Sequence, residues 1–293
     1  MYEEGDQAAM KTGLVMEGGA MRGLFTCGVI DVFMEQGIEF DGAAGISAGA
    51  VFGCNFKSGQ IGRPLRYNKN YSKDPRYCSI RSLLKTGDLY GVQFCYHELP
   101  EKLDPFDAEA FRNNPMAFYV GATDVATGKS VFHKCSDGGR MDIEWMRASS
   151  SMPVVSRPVP IGKYRLLDGG IACPVPFRFM EKKGYDRNVI ILTQPAGYRK
   201  KKSLPVMQAM LRKYPAIAHA MAMRHIIYNR QMDQIEERAR IGKVLVLRPP
   251  EDLGIGRTEK DPEELDRVYQ IGRRTAGERL NEVRAFLGGK SRQ

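Results

Sequence analysis

Within its first 52 residues the chain runs twice from an apolar strand through a glycine turn into a helix. No other feature narrows the choice of fold as much. Thr12–Glu17 has strand composition and passes through Gly18 and Gly19 into Leu24–Met34, which is apolar at helical spacing and closed by Gly37. Phe40–Ile46 reads as a second strand, again ending at a glycine turn, with the helix-like Ala48–Phe52 behind it. Strand, turn and helix in repetition is the pattern of an α/β fold, a parallel sheet with helices on both faces.

Further along, Lys57–Asn114 is rich in Tyr, Lys and Arg and lacks a clear period, so it is expected to be an irregular, partly helical insertion able to roof a site. Ala117–His133 predicts two strands around the turn Ala126–Lys129, and Asp142–Ser150 a short helix ahead of Pro153. Tyr164–Leu167 predicts a strand stopping at Asp168, and Asn188–Leu192 and Lys243–Leu247 have the composition of buried strands. The Met-rich stretch Leu204–Arg240 predicts a helix broken near Pro215. Asp261–Leu287 predicts a closing amphipathic helix, started by Asp261-Pro262-Glu263-Glu264. With 293 residues, no repeat and no linker, a single domain over 1–293 is expected. Its motif-bearing core is at about 12–195 and a helix-rich part at about 196–293.

The charge is unevenly divided. Of a net +10, residues 196–293 carry 21 Lys/Arg against 12 Asp/Glu, whereas the first 195 are nearly balanced. A basic C-terminal third is either a set of solvated helix faces or a surface for anions. Without a nucleic-acid motif beside it, contact with anionic membrane is the better functional version, and no nucleic-acid partner is expected. The six cysteines are scattered without a C-x-x-C pair, which argues against a zinc site and a disulfide framework and fits a reducing compartment. Met1–Lys11 holds Glu3, Glu4 and Asp6 with no apolar stretch, unlike a secretory leader. The longest uncharged run, Gly42–Phe56, has 15 residues, short of the roughly 18–20 that a membrane span requires. A cytoplasmic protein, peripheral at the membrane at most, is expected.

Three segments carry chemistry. Gly45-Ile46-Ser47-Ala48-Gly49 is a Gly-x-Ser-x-Gly turn between strand and helix. Gly45 and Gly49 clear the corner there, so that the Ser47 hydroxyl stands at the sheet edge as a nucleophile. Gly18-Gly19-Ala20, followed by Arg22-Gly23, ends the first strand at that same edge and offers backbone N–H groups for an oxyanion. Asp168, followed by Gly169-Gly170, ends a strand with its carboxylate free to turn into a cleft. A dinucleotide loop is disfavoured because Ala20 stands where a second glycine is required. A phosphate loop at Gly128-Lys129-Ser130 fails because Gly121 lies two positions too early. On residue order the base is Asp168, or one of His219 and His225 in a Ser–Asp–His triad, although both histidines sit within a helical Ala/Met-rich segment.

The glycine loop with Arg22-Gly23, the Ser47 elbow and the Asp168-Gly169-Gly170 turn, in this order, resemble the patatin-like phospholipase family, particularly its bacterial members. Ala148-Ser149-Ser150-Ser151-Met152-Pro153 resembles a further segment of that family. The resemblance covers roughly Gly13–Leu192. It implies a three-layer α/β/α sandwich with a mostly parallel central sheet, and a Ser–Asp dyad without a catalytic histidine. Ser47 would be the nucleophile and Asp168 the base. Gly18, Gly19 and Ala20 would line the oxyanion hole, with the Ala48 N–H as a possible addition. The family usually has glycine where Ala20 stands. Arg22 would support the loop or face a lipid phosphate. An acyl lipid substrate follows, with no cofactor, no metal and no calcium, since no acidic loop has calcium-binding spacing. The basic run Arg199-Lys200-Lys201-Lys202 and apolar residues of the insertion are expected to dock on anionic bilayers. The competing readings are a Ser–His–Asp esterase for soluble esters and a non-catalytic lipid-binding or scaffold protein.

Overall fold

The computed structural model describes residues 10–288, so the reading of the extreme N-terminus lies almost wholly outside the described residues. The chain begins with β1 (Thr12–Met16), α1 (Gly23–Glu35), β2 (Gly42–Ile46) and α2 (Ala48–Val51). Next come α3 (Cys54–Ser58), α4 (Arg63–Tyr71), α5 (Ile80–Thr86), a π-helical segment (Phe94–Leu103) and α6 (Ala108–Asn113). Then follow β3 (Ala117–Asp124), β4 (Ser130–Cys135), α7 (Arg140–Ser150), β5 (Val159–Ile161) and β6 (Tyr164–Asp168). After α8 (Phe177–Lys182) and β7 (Arg187–Ile191) the chain continues through α9 (Pro205–Met210), α10 (Pro215–Arg240) and β8 (Val244–Leu247). It finishes with α11 (Pro262–Glu278) and α12 (Leu280–Phe286).

The strands form one sheet in the order β5-β6-β3-β2-β1-β7-β8, with β4 also on β3. β3, β2, β1, β7 and β8 pair in parallel, whereas β4 and β6 pair antiparallel with β3, and β5 antiparallel with β6. Strand side chains alternate between two apolar layers, as a sheet covered on both faces requires. Leu14, Met16, Ala43, Val189 and Ile191 join the layer under α1 and α11, whereas Val15, Ala44 and Ile190 join Phe177, Met180, Tyr228 and Met232 from α8 and α10. Fold and sheet are thus of the α/β/α kind expected.

The C-terminal part is built into this frame. β8 extends the sheet beside β7, and α11 lies against α1 with a glycine of each helix at the crossing. A Cβ on Gly28 would meet the Tyr269 carbonyl at 2.1 Å, and one on Gly272 the Phe25 carbonyl at 2.1 Å, so backbone packs directly on backbone. The insertion is more regular than its composition suggests, with the three helices α4, α5 and α6 and the π-helical segment around Pro100. The closing helix breaks at Arg279, just after Gly277, a weak helix former. β5 and α8 are too short to leave a periodic signal.

Candidate active site

β2 brings Ile46 to the C-terminal edge of the sheet, and the chain reverses at Ser47 into α2. Ser47 is held at φ 53° and ψ −122°, a conformation that a residue with a side chain keeps only under constraint. The constraint is visible. A Cβ on Gly45 would lie 2.2 Å from the Gly49 carbonyl oxygen, and one on Gly49 2.4 Å from that of Met16, so both flanks of the corner have to be glycine. The Ser47 N–H donates to Ser149 Oγ at 2.8 Å, and the Ser149 hydroxyl donates to the Gly121 carbonyl at 2.6 Å, pinning the turn between α7 and β3.

Asp168 ends β6 within the same corner. Its N–H donates to the Ser151 carbonyl at 2.8 Å, and its carbonyl accepts the Thr123 hydroxyl at 2.8 Å. Its Oδ1 accepts the Gly170 N–H at 2.6 Å, while Gly169 packs so tightly that a Cβ would meet the Gly121 carbonyl at 2.2 Å. The Ser47 side chain lies near the Asp168 carboxylate and favours its ionised form. Burial lifts the Asp168 pKa above the usual carboxylate range, and the neighbouring Arg224 guanidinium and the serine hydroxyl partly offset that rise. A carboxylate held in this way is a better base than a solvated one.

The glycine loop runs beneath the serine. A Cβ on Gly18 would lie 2.9 Å from both the Ile46 carbonyl oxygen and Ser47 Cβ, and one on Gly19 2.7 Å from Thr193 Oγ1. Ala20 sits at φ 51°, the left-handed region that costs a side chain roughly 1–2 kcal/mol. The N–H groups of Gly18, Gly19 and Ala20 meet no acceptor among the described residues, while the Gly19 carbonyl accepts the Arg22 N–H at 3.2 Å. Gly23 begins α1, where a Cβ would touch Ala48 Cβ at 2.8 Å, so loop and elbow helix are in contact. Glu17, whose role the sequence does not announce, anchors the loop: its Oε2 accepts the Thr193 N–H at 2.6 Å and hydroxyl at 3.1 Å.

Ser47 stands where two cavities meet, with Ala20 and Met152 also lining both. One is apolar, walled by Val51, Phe52, Tyr67, Leu99, Phe106 and Met146, so the insertion supplies much of its lining. The other is charged, lined by Glu17, Arg22, Asp168, Lys200, Arg224 and Arg257. No histidine lines either cavity. His219 is exposed and His225 half-buried on α10, His97 lies beside Glu101, and His133 bonds to Asp142 at 2.7 Å.

His133, Cys135 and Asp142 also form a trio of possible metal ligands among the described residues. Hydrogen bonds already occupy its carboxylate: Asp142 Oδ2 accepts the N–H groups of Ser136, Asp137 and Gly138, and Oδ1 faces His133. Burial raises the Cys135 thiol pKa well above its ordinary value and keeps it neutral. The trio reads as a clasp between β4 and α7.

The basic run 199–202 is not one surface. Arg199 pairs with Asp233, Lys200 turns into the charged cavity, and Lys201 and Lys202 are exposed. Lys200, Arg224 and Arg257 belong to this site although no sequence motif marks them.

The patatin-like phospholipase family model matches residues 14–180, more than half of the chain. The chain belongs to this family. A second family model, a domain of unknown function, matches residues 214–288. Among curated relatives of this patatin-like chain, the uncharacterized protein YjjU of Escherichia coli is 28% identical over 189 residues, 62% of this chain and 52% of its own. The uncharacterized NTE family protein Rv1063c of Mycobacterium tuberculosis is 29% identical over 166 residues, 57% of this chain and 44% of its own. Lysophospholipase nte1 of Emericella nidulans is 25% identical over 294 residues, 93% of this chain and 18% of its own. The chain therefore spans about half the length of the first two. Among the described residues no helix is long and apolar enough to cross a membrane.

Proposed function

We propose that this patatin-like chain is a lipid acyl hydrolase that cleaves carboxylic esters through a Ser47–Asp168 dyad. The observation that carries the reading is the meeting of a strained, buried serine and a buried carboxylate at the junction of an apolar and a charged cavity. Ser47 Oγ attacks the ester carbonyl as its proton passes to Asp168. The unpaired N–H groups of Gly18, Gly19 and Ala20 face the oxyanion. Collapse breaks the bond to the alcohol oxygen, which takes the proton from Asp168 and leaves. Water then repeats the sequence on the acyl-serine and restores the free enzyme. The chemistry draws on side chains and amides of the chain itself, without a metal or cofactor. The acyl chain lies in the apolar cavity and the leaving alcohol in the charged one.

Six free cysteines favour a cytoplasmic setting. Exposed Ile80 and Leu84 on α5, and exposed Leu204, Val206 and Met210 following Lys201 and Lys202 in sequence, suit peripheral contact with an anionic bilayer. Exchanging Lys201 and Lys202 for Ser is expected to weaken binding to anionic vesicles; unchanged binding would remove that part of the reading. The dyad itself is tested by p-nitrophenol release from a series of p-nitrophenyl acyl esters. Wild type should turn over while Ser47→Ala and Asp168→Ala, shown folded by circular dichroism, should not. Turnover surviving Ser47→Ala would place the chemistry elsewhere.

A further inference from the structure

The charged cavity contains more positive charge than its walls neutralise. Four cations reach it from four separate segments: Arg22 after the glycine loop, Lys200 after β7, Arg224 on α10 and Arg257 between β8 and α11. Glu17 and Asp168 are the carboxylates in the same lining, and both are engaged, Glu17 by Thr193 and Asp168 by the Gly170 N–H.

The cations are poorly matched. Among the described residues Arg224 donates only Nε–H to an acceptor, the Gly170 carbonyl at 2.6 Å. Arg22 Nε is buried without a partner, and neither the Arg22 nor the Arg257 guanidinium has a hydrogen bond or ion pair among the described residues. The Lys200 ammonium lies 4.6 Å from the centre of the Tyr228 ring and has no carboxylate partner among the described residues. Burial, followed by repulsion from Arg224, brings the Lys200 pKa down to about 8. Cations crowded in this way gain from any anion placed among them, and guanidinium forks are suited to phosphate oxygens.

We infer that this chamber is an anion subsite for the leaving group, and that the preferred substrate is an acyl ester whose alcohol carries a phosphate monoester. This rests on the acyl hydrolase reading and specifies its substrate. The lining offers no spare carboxylate for the ammonium of a zwitterionic headgroup, so an acylglycerol phosphate outranks both an acylglycerol and an acylglycerophosphocholine of equal chain length. Arg224 and Arg257 both lie within residues 214–288. The unit of unknown function thereby gains a role: it closes the headgroup end of a site whose nucleophile comes from the patatin-like part.

The test compares kcat/KM for 1-oleoylglycerol 3-phosphate, 1-oleoylglycerol and 1-oleoylglycerophosphocholine in wild type, Lys200→Met and Arg257→Ala. Wild type should prefer the phosphate monoester by at least about tenfold, and each variant should reduce that preference severalfold, with the change mainly in KM. Inorganic phosphate should compete with a p-nitrophenyl ester in wild type and more weakly in Arg257→Ala. Inhibition by phosphate without a headgroup preference would mean the chamber holds a free anion, and would overturn the assignment to the leaving group. Turnover of p-nitrophenyl esters and 1-oleoylglycerol with neither preference nor inhibition would overturn the subsite and leave the hydrolase reading standing. Failure to hydrolyse any ester would instead remove the hydrolase reading.

Discussion

The two cavities that meet at Ser47 differ in both chemistry and origin. The apolar one is built from near neighbours in sequence, α2 and the insertion that follows it, with α7 as an added wall. The charged one gathers residues 17, 22, 168, 200, 224 and 257, brought together only by the parallel sheet and the return of α10 and the β8–α11 loop. The apolar side can change size by local substitution, whereas the charged side depends on the whole fold. It follows that specificity for acyl length and for leaving group should be separable by mutation.

The largest effect should be common to both sides. Asp168→Asn keeps the shape of the turn and removes the base, and should lower kcat by roughly 10³-fold on every ester, whatever its acyl chain or alcohol. A loss confined to phosphate-bearing substrates would make Asp168 part of the chamber and not of the dyad. Next in size, Ile143→Trp, which fills the apolar cavity from α7, should reduce kcat/KM for long p-nitrophenyl esters about tenfold and spare short ones. An equal fall at all lengths would mean that acyl chains lie elsewhere.

The third prediction concerns pH. Arg224 holds the Asp168 pKa below the value that burial alone would impose, so Arg224→Gln should raise it. In the proposed dyad, hydrolysis needs the ionised base and fails as pH falls through its pKa. The acid limb of kcat/KM, already raised from the ordinary carboxylate value in wild type, should therefore move to still higher pH. A downward shift would show that Arg224 does not favour the ionised form of Asp168.

The smallest effect tests the seam between the two parts of the chain. Asp31 on α1 accepts the Tyr269 hydroxyl of α11 at 2.7 Å and the Gly62 N–H at 2.9 Å, while its Oδ1 is buried without a partner among the described residues. Burial pushes its pKa up to about 6 from 3.8. A raised folded-state pKa contributes stability that is complete below about pH 4 and lost as pH rises through 6. Asp31→Asn should accordingly raise Tm at pH 8 by about 3–6 °C, roughly 1–2 kcal/mol, with the gain shrinking toward pH 4.5. A lower Tm at pH 8 would show that the charged form is what holds α11 to α1.

What was legible in the sequence follows the range of the forces involved. The strand–turn–helix units at Thr12–Glu35 and Gly42–Val51 are set by local backbone requirements. Glycines that clear a corner, as at Gly45 and Gly49, leave a mark wherever they occur. The break near Pro215 was legible for the same reason, as the missing N–H and fixed φ act on adjacent residues. Asp168 was legible as the end of a strand, though its place beside Ser47 arises only from sheet order. The cations of the chamber were not legible. Lys200 looked like one of four equivalent charges in a basic run, yet it alone of the run lines the cavity while Arg199 is bound to Asp233. Arg224 and Arg257 lay in a stretch without a motif, and only tertiary packing gives them a neighbour in common.

The most direct test of the central claim is covalent labelling with a fluorophosphonate, located by peptide mass spectrometry in wild type, Asp168→Asn and the double variant His219→Ala/His225→Ala. The dyad predicts an adduct on Ser47 in wild type and in the histidine double variant, and little or none in Asp168→Asn. A label on another residue, or one on Ser47 that needs the histidines and not Asp168, would contradict it.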